Sequence, residues 1–190
     1  KEDEVCYNSG SALGNVIEQS GTLWNKLLKR ELIGCIRFNE RIRYAEDTLF
    51  LSEYLLKANS VAVTKKPLYY YRINRLGNVV SGGLNSRHLD YLYATALIFD
   101  ILRENGSVDV GVERVVDVGI RVAALMNKAN KQKCYMDAIR QLAKKAMPYR
   151  AELIKNNRSA KQYLKKFILA QMSYGNCLFV CCSKIVNRIK

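Results

Sequence analysis

Histidine is nearly absent from this 190-residue chain, which contains only His88. Its six cysteines include no Cys-x-x-Cys pair, so the clustered ligands of a structural zinc site are missing. We therefore expect reduced, mostly buried thiols, as in an intracellular protein. Only 2 prolines and 11 glycines occur, which argues against a long disordered linker, and a hydrophobic content of 49% predicts a sizeable core.

Long apolar runs are missing as well. No segment reaches the roughly 18 consecutive apolar residues that a membrane-spanning helix needs. The first residues, Lys1 to Glu4, also lack the apolar centre of a signal peptide. We therefore expect a cytoplasmic protein that contacts a membrane, if at all, from the inner face.

Acidic residues are scarce in the last third of the chain. Residues 127–190 carry 15 Lys/Arg against 2 Asp/Glu, a net charge of +13, whereas the whole chain has +14. Such a field attracts polyanions, namely nucleic acid, anionic lipid or phosphorylated substrates. A solvated basic surface explains it equally well. A stripe of Leu178, Cys182, Ile185 and Ile189 either lies in a membrane interface or packs on the helices before it.

The hydrophobic periodicity predicts an α+β fold that is mainly α. We expect helices over 22–34, 47–58, 87–104, 108–129, 135–147 and 151–156, and an interrupted helix over 159–190. Residues 60–64 and 68–73 read as two strands of a short β-hairpin, followed by a loop to Gly83. We therefore expect two parts: residues 1–83, which contain the hairpin, and residues 84–190, which form a helical bundle with a basic end.

The acidic pair Glu46-Asp47 stands at the start of a predicted helix. A carboxylate there is a plain N-cap in most proteins, and Asp47 or Thr48 suits that role. The same position also suits a general base, because the helix dipole keeps the carboxylate ionised and directed. First-turn charge compensation explains Glu46 equally well. The pair alone does not decide between these interpretations.

The motifs on either side of Glu46-Asp47 favour the general-base interpretation over the N-cap. Residues 22–81 resemble the second half of family 2 glycosyltransferases, the GT-A-fold enzymes that build bacterial surface polysaccharides. The matching segments, in order, are Trp24 to Ile33, Ile36 to Phe38, Glu46 to Phe50, Pro67 to Arg72, and a polar loop that reaches Ser81. The first segment is Trp-Asn-Lys-Leu-Leu followed by Lys-Arg-Glu-Leu-Ile, and the fourth is Pro-Leu-Tyr-Tyr-Tyr-Arg. The resemblance covers about a third of the chain and fades after residue 85.

The resemblance implies transfer of a sugar from a nucleotide sugar to an acceptor hydroxyl, with inversion. It assigns the catalytic base to Asp47, with Glu46 as a weaker companion. Trp24 would be a platform for the acceptor sugar, because aromatic rings pack against sugar C–H faces, although core packing explains it equally well. Lys26 would lie beside the acceptor or stay solvated.

The diphosphate side of the site follows from the same resemblance. Arg72, Arg75 and Ser81 flank the predicted loop, where a basic segment would cover the leaving group, since an arginine fork donates bidentately to phosphate. Surface solvation is the alternative for both arginines. Of the tyrosines at 69, 70 and 71, at least one should be buried.

One departure from the family limits the prediction. No Asp-x-Asp motif occurs, and no βαβ pattern precedes Trp24. We therefore expect the C-terminal portion of a longer enzyme, in which the nucleotide sugar and a divalent metal (Mg or Mn) bind elsewhere. This chain alone should bind neither and be inactive. A sugar or a lipid-linked sugar is the expected acceptor. The alternative is a non-catalytic basic helical module for an anionic membrane or nucleic acid, although no nucleic-acid motif stands out.

Overall fold

The computed structural model describes residues 4–72, 83–126, 132–155 and 160–174. Two short strands, β1 (Glu4–Asn8) and β2 (Ser60–Thr64), accompany eight helices in these ranges. The helices are α1 (Ser9–Gln19), α2 (Arg30–Ile33), α3 (Glu46–Leu55), α4 (Arg87–Glu104), α5 (Val108–Ala124), α6 (Gln132–Ala146), α7 (Glu152–Lys155) and α8 (Ala160–Tyr174). A 3-10 turn, Met147–Tyr149, separates α6 from α7. The predicted α+β, mainly α class is confirmed.

The sheet pairs segments that are far apart in sequence. β1 runs antiparallel to β2, with Glu4 opposite Thr64 and Asn8 opposite Ser60. The prediction of a strand over 60–64 is confirmed, but its predicted hairpin partner is wrong. Residues 68–72 form no strand, and position 73 lies outside the described ranges. Two of the tyrosine rings in this segment stack on Trp24, a tertiary contact that sequence alternation does not reveal.

The helix predicted to start at Thr22 is also wrong over most of its length. Residues 22–29 are irregular, and only Arg30–Ile33 are helical. A tight turn replaces the first part, since the backbone N–H of Lys26 donates to the carbonyl of Leu23 at 3.1 Å. The predicted stop is correct, because Gly34 ends α2 with a φ of +50°, which favours glycine.

The later helices match their predictions more closely. α4 has the predicted bounds, and Asn105 ends it, its backbone N–H donating to the carbonyl of Leu102. α3 ends at Leu55 rather than Ala58, and α5 ends at Ala124 rather than 129. The 3-10 turn carries Pro148, the residue predicted to divide two helices. The predicted loop over 74–82 and the part of the last predicted helix after residue 174 lie outside the described residues.

Two hydrophobic cores share α4. The N-terminal core is built from α1, α3 and one face of α4, which contributes Ala94, Ile98 and Leu102. The C-terminal core is built from α5, α6, α7 and α8 together with Phe99 on another face of α4. The predicted division at residues 83 and 84 falls just before this shared helix and stays a prediction. α4 thereby positions the start of α3 against the helices that follow.

The expected burial of the thiols fails for the cysteines that the structure describes. Cys6, Cys35 and Cys134 are all exposed. Cys6 lies on the two-stranded sheet, which has little cover, and Cys35 lies in the turn after α2. Cys177, Cys181 and Cys182 lie outside the described residues.

Candidate functional site

Asp47 is the second residue of α3 and follows an unusual backbone conformation. Ala45 is the residue before the helix and adopts φ +66° and ψ +20°, in the left-handed region. Left-handed backbone costs a non-glycine residue about 1–2 kcal/mol, and such strain concentrates at functional sites. The turn places the Asp47 carboxylate at the positive end of the helix dipole.

Asp47 is not the N-cap residue, contrary to the purely structural interpretation of the acidic pair. Ala45 occupies that position, and no side chain caps the helix there. One carboxylate oxygen of Asp47, Oδ1, accepts hydrogen bonds from the Thr48 backbone N–H at 2.7 Å and from the Thr48 hydroxyl at 3.3 Å. Within the described part of the chain, the other oxygen accepts no hydrogen bond. It is therefore the oxygen with capacity to take a proton.

Glu46 differs from Asp47 although it is its neighbour. It is half-buried as the first residue of α3, and no described residue donates a hydrogen bond to its carboxylate. The charge of Asp47 acts on the ionisation of Lys26, Tyr44 and Arg114. Glu46 influences none of these three groups. Of the two acidic residues, only Asp47 acts on these three groups. We call Asp47, Lys26, Tyr44 and Arg114 the polar cluster.

The irregular segment before Lys26 packs closely on α3. A Cβ added to Gly21 would lie 2.4–2.9 Å from the Thr48 side chain, so only glycine fits there. The Lys26 ammonium donates to the Thr22 carbonyl at 2.7 Å and to the Asn25 side-chain oxygen at 2.8 Å.

The position of Lys26 affects its ionisation. Burial lowers the pKa of Lys26 below its ordinary value, and the Asp47 carboxylate opposes that effect. Lys26 is therefore a positioned cation and not a freely solvated one.

Trp24 forms an exposed aromatic cluster with two tyrosines. Its ring centroid is 4.8 Å from that of Tyr69 and 4.9 Å from that of Tyr71, where the planes are within 24° of parallel. Trp24 keeps 43% of its surface exposed, so core packing does not explain it. The expectation that one of the three tyrosines is buried is wrong, because Tyr69, Tyr70 and Tyr71 are all exposed. Stacking on Trp24 takes the place of burial.

The predicted diphosphate residues are only partly described. Arg72 is exposed at the end of a described range, directly after Tyr71. Arg75 and Ser81 lie outside the described residues. The arrangement of these three residues therefore stays a prediction.

Sequence reasoning missed a second set of residues beside Asp47. The Tyr44 ring packs edge-on against Tyr91 of α4, with centroids 4.7 Å apart, and the Arg43 backbone N–H donates to Asp90 of α4 at 3.2 Å. Burial raises the pKa of Tyr44, as do Tyr91 and Asp47, whereas the positive charge of Arg121 opposes the rise.

Arg114 and Arg121 of α5 complete this set. Burial lowers the pKa of Arg114, while Tyr91 and Asp47 favour its charged form. The two arginines are seven positions apart in a valine-rich helix, and that spacing on one helix face was the available signal.

The polar cluster does not fit a divalent metal. The groups on which the Asp47 charge acts are two cations and a tyrosine, whereas Mg or Mn requires several oxygen ligands. Among the described residues, no group of three or more His, Cys, Asp or Glu side chains is placed to hold a metal. No step is therefore assigned to a metal at these residues.

The basic C-terminal part has a separate surface feature. An open groove of about 600 Å³ is lined by Arg140, Lys144, Met147, Ser173 and Tyr174, on α6, the 3-10 turn and α8. No described helix has the length and apolar character needed to cross a bilayer. The stripe of Leu178, Cys182, Ile185 and Ile189 lies outside the described residues.

Comparison of the chain with protein-family models, with curated proteins and with solved structures finds no match. Functional interpretation therefore rests on the residues of the cluster.

Proposed function

We propose that this chain supplies the acceptor side of an inverting, nucleotide-sugar-dependent glycosyltransferase of surface-polysaccharide synthesis. The observation that carries the proposal is the packing onto the start of α3 of the segment that leads into the Trp24–Lys26 turn. Gly21 lies against Thr48, and the charge of Asp47 acts on Lys26. The segment that carries Trp24 and Lys26 is thereby linked to the start of α3, although more than 20 positions separate Lys26 from Asp47 in sequence.

Asp47 acts as the general base in this proposal. Its Oδ1 is held by Thr48, and the other oxygen accepts the proton of an acceptor hydroxyl. As that proton moves to Asp47, the hydroxyl oxygen bonds to the anomeric carbon of the donor. The bond from that carbon to the nucleoside diphosphate breaks at the same time, which inverts the anomeric centre. A positioned base typically contributes about 10²–10⁴-fold to such a rate.

Trp24 binds the acceptor sugar in this proposal. Its exposed ring is held in place by Tyr69 and Tyr71, so a sugar can stack without the ring first becoming ordered. Lys26, on whose ionisation the Asp47 charge acts, donates hydrogen bonds to acceptor hydroxyls. Glu46 contributes negative charge to the first turn of α3 and takes no proton.

Arg72, Arg75 and Ser81 neutralise the departing diphosphate in this proposal. The nucleotide sugar, with Mg or Mn, binds to a part of the full-length enzyme outside this chain. The acceptor is a sugar or a lipid-linked sugar, and the protein acts in the cytoplasm, peripherally on the inner face of the membrane. The net charge of +13 in residues 127–190 supports attraction to anionic lipid.

A transfer assay with product analysis tests the proposal. The full-length protein that carries this chain is incubated with a panel of nucleotide sugars, sugar acceptors and Mn. We expect a glycoside whose anomeric configuration is opposite to that of the donor, as resolved by NMR. The chain alone should give no turnover. Retention of configuration, or no transfer with any donor and acceptor, would contradict the proposal.

A further inference from the structure

Arg114 and Arg121 form a cationic pair on α5, in which the charge of Arg121 acts on Arg114. Seven positions correspond to about two helical turns, so both side chains emerge from the same face of α5. Glu113 and Asp117 of α5 form ion pairs with Lys165 of α8, at 3.5 and 3.3 Å, and the charge of Asp117 also favours the charged form of Arg114. Within the described ranges, neither arginine forms an ion pair.

Of the two arginines, Arg114 gives the stronger evidence for a bound ligand. Its Nε atom is buried and has no hydrogen-bond partner in the described part of the chain. A buried guanidinium donor without an acceptor costs free energy, because water has been removed and nothing replaces it. Phosphate and carboxylate groups match the guanidinium fork, since two parallel N–H donors meet two oxygens.

Both arginines interact electrostatically with groups at or near the start of α3. Arg114 interacts electrostatically with Tyr91 and Asp47, and Arg121 interacts with Tyr44. The edge-on contact of Tyr44 with Tyr91 joins the start of α3 to α4 at this place. Lys26, Arg114 and Arg121 are three cations of this region, and Asp47 and Asp117 are the carboxylates whose charges act on one or more of them. Three cations thus accompany two carboxylates.

We propose that Arg114 and Arg121, with the Tyr44 hydroxyl, form a subsite for an oxyanion carried by the acceptor, a phosphate or a carboxylate. Naming the acceptor as its carrier rests on the proposed function. A general base touches the acceptor hydroxyl and not the leaving diphosphate, so groups beside Asp47 face the acceptor. Arg72 directly follows Tyr71 of the aromatic cluster and remains the proposed contact of the diphosphate.

Binding of a sugar phosphate to the 190-residue chain tests this subsite without any donor. The ¹⁵N-labelled protein is titrated with glucose, glucose 1-phosphate and uridine diphosphate at constant ionic strength, and the arginine Nε–H signals are followed by NMR. We expect glucose 1-phosphate to bind at least about tenfold more tightly than glucose and to shift the Arg114 signal.

Arg121→Gln is the informative variant, because Arg121 is exposed and its replacement leaves the core intact. It should weaken glucose 1-phosphate binding about tenfold. The control Arg41→Gln, at an exposed position of the connector before α3, should change it less than about twofold. Arg114→Lys keeps the charge but lacks the fork, and should also weaken binding.

Two results would overturn the subsite. One is equal glucose 1-phosphate affinity in the wild type and Arg121→Gln. The other is a larger loss of uridine diphosphate binding than of glucose 1-phosphate binding in that variant, which would assign the arginines to the leaving group. Because no transfer is measured, this outcome is independent of the transfer assay. Either experiment can fail while the other succeeds.

Discussion

Ala45 is the residue whose conformation determines where α3 begins. A left-handed alanine ends the connector and lets Glu46 start the helix, which puts Asp47 in the first turn. The sequence offered no sign of this, because glycine or asparagine is the usual residue at positive φ. The strained residue stands directly before the first turn of α3, which carries the proposed base.

Substitutions at Ala45 should reveal this strain. Ala45→Val should lower the free energy of unfolding by at least about 2 kcal/mol, because a β-branched residue is disfavoured in the left-handed region. Ala45→Gly should stay within about 1 kcal/mol of the wild type, since relief of strain offsets greater freedom of the unfolded chain. Urea denaturation measures both. Equal stability of the two variants would show that Ala45 is not held at positive φ.

The residues around Asp47 could be singled out from the sequence to different degrees, and their roles stay predictions. The motif around Asp47, Trp24 and Lys26 marked these residues, because their types suit acid–base and sugar-binding chemistry. Arg114 and Arg121 were not marked, since their relation to Asp47 depends on how α5 packs against α4. Their seven-residue spacing indicated a shared helix face, but a single sequence does not show that this face lies near the start of α3.

At the scale of helices and strands, tertiary contacts outweigh local propensity in some segments but not in others. α4 carries its own start, stop and periodicity, and its predicted bounds are those of the structure. The segments around Trp24 and Tyr69 looked like a helix and a strand, yet neither forms over the described residues. Stacking of Trp24 on two tyrosines and packing of Gly21 on α3 stabilise irregular backbone in both segments.

The Gly21 contact predicts how this surface is held together. Gly21→Ala would force the new methyl group into the Thr48 side chain, so we expect a loss of about 1–3 kcal/mol in the free energy of unfolding. The displaced turn should also shift Trp24 emission to longer wavelength. Chemical denaturation followed by fluorescence measures both effects.

Gly83→Ala is the matched control for that experiment. Nothing lies within 4 Å of a Cβ at Gly83, so its stability should stay within about 0.5 kcal/mol of the wild type. Equal behaviour of the two variants would mean that the Trp24–Lys26 turn is not packed on α3.

At the scale of the whole molecule, α4 joins the two cores. Ile98 is fully buried in the N-terminal core and Phe99 in the C-terminal core, so adjacent residues of one helix belong to both. Composition predicted a mixed first part and a helical second part. It did not predict that one helix would serve both, because helix periodicity identifies apolar positions but not which core each one enters.

A cooperative unfolding transition follows from the shared helix. Ile98→Ala should lower the free energy of unfolding by about 2–5 kcal/mol, because it leaves a cavity in a closed core. Trp24 fluorescence reports the N-terminal part, and far-UV circular dichroism reports all the helices. Both signals should move to the same lower urea midpoint.

The exposed Tyr93, on the same helix, provides the control, and Tyr93→Ala should shift the midpoint little. Separate midpoints for the two signals in Ile98→Ala would show that the cores unfold independently.

The role of Asp47 is the central claim, and kinetics of Asp47→Asn in the full-length enzyme test it most directly. Asparagine keeps the shape and the hydrogen bond to Thr48 but takes no proton, so kcat should fall by at least about 100-fold while acceptor KM changes little. Glu46→Gln, one position away, should keep kcat within about fivefold of the wild type. A folded Asp47→Asn enzyme with wild-type kcat, or a larger loss in Glu46→Gln than in Asp47→Asn, would contradict the account.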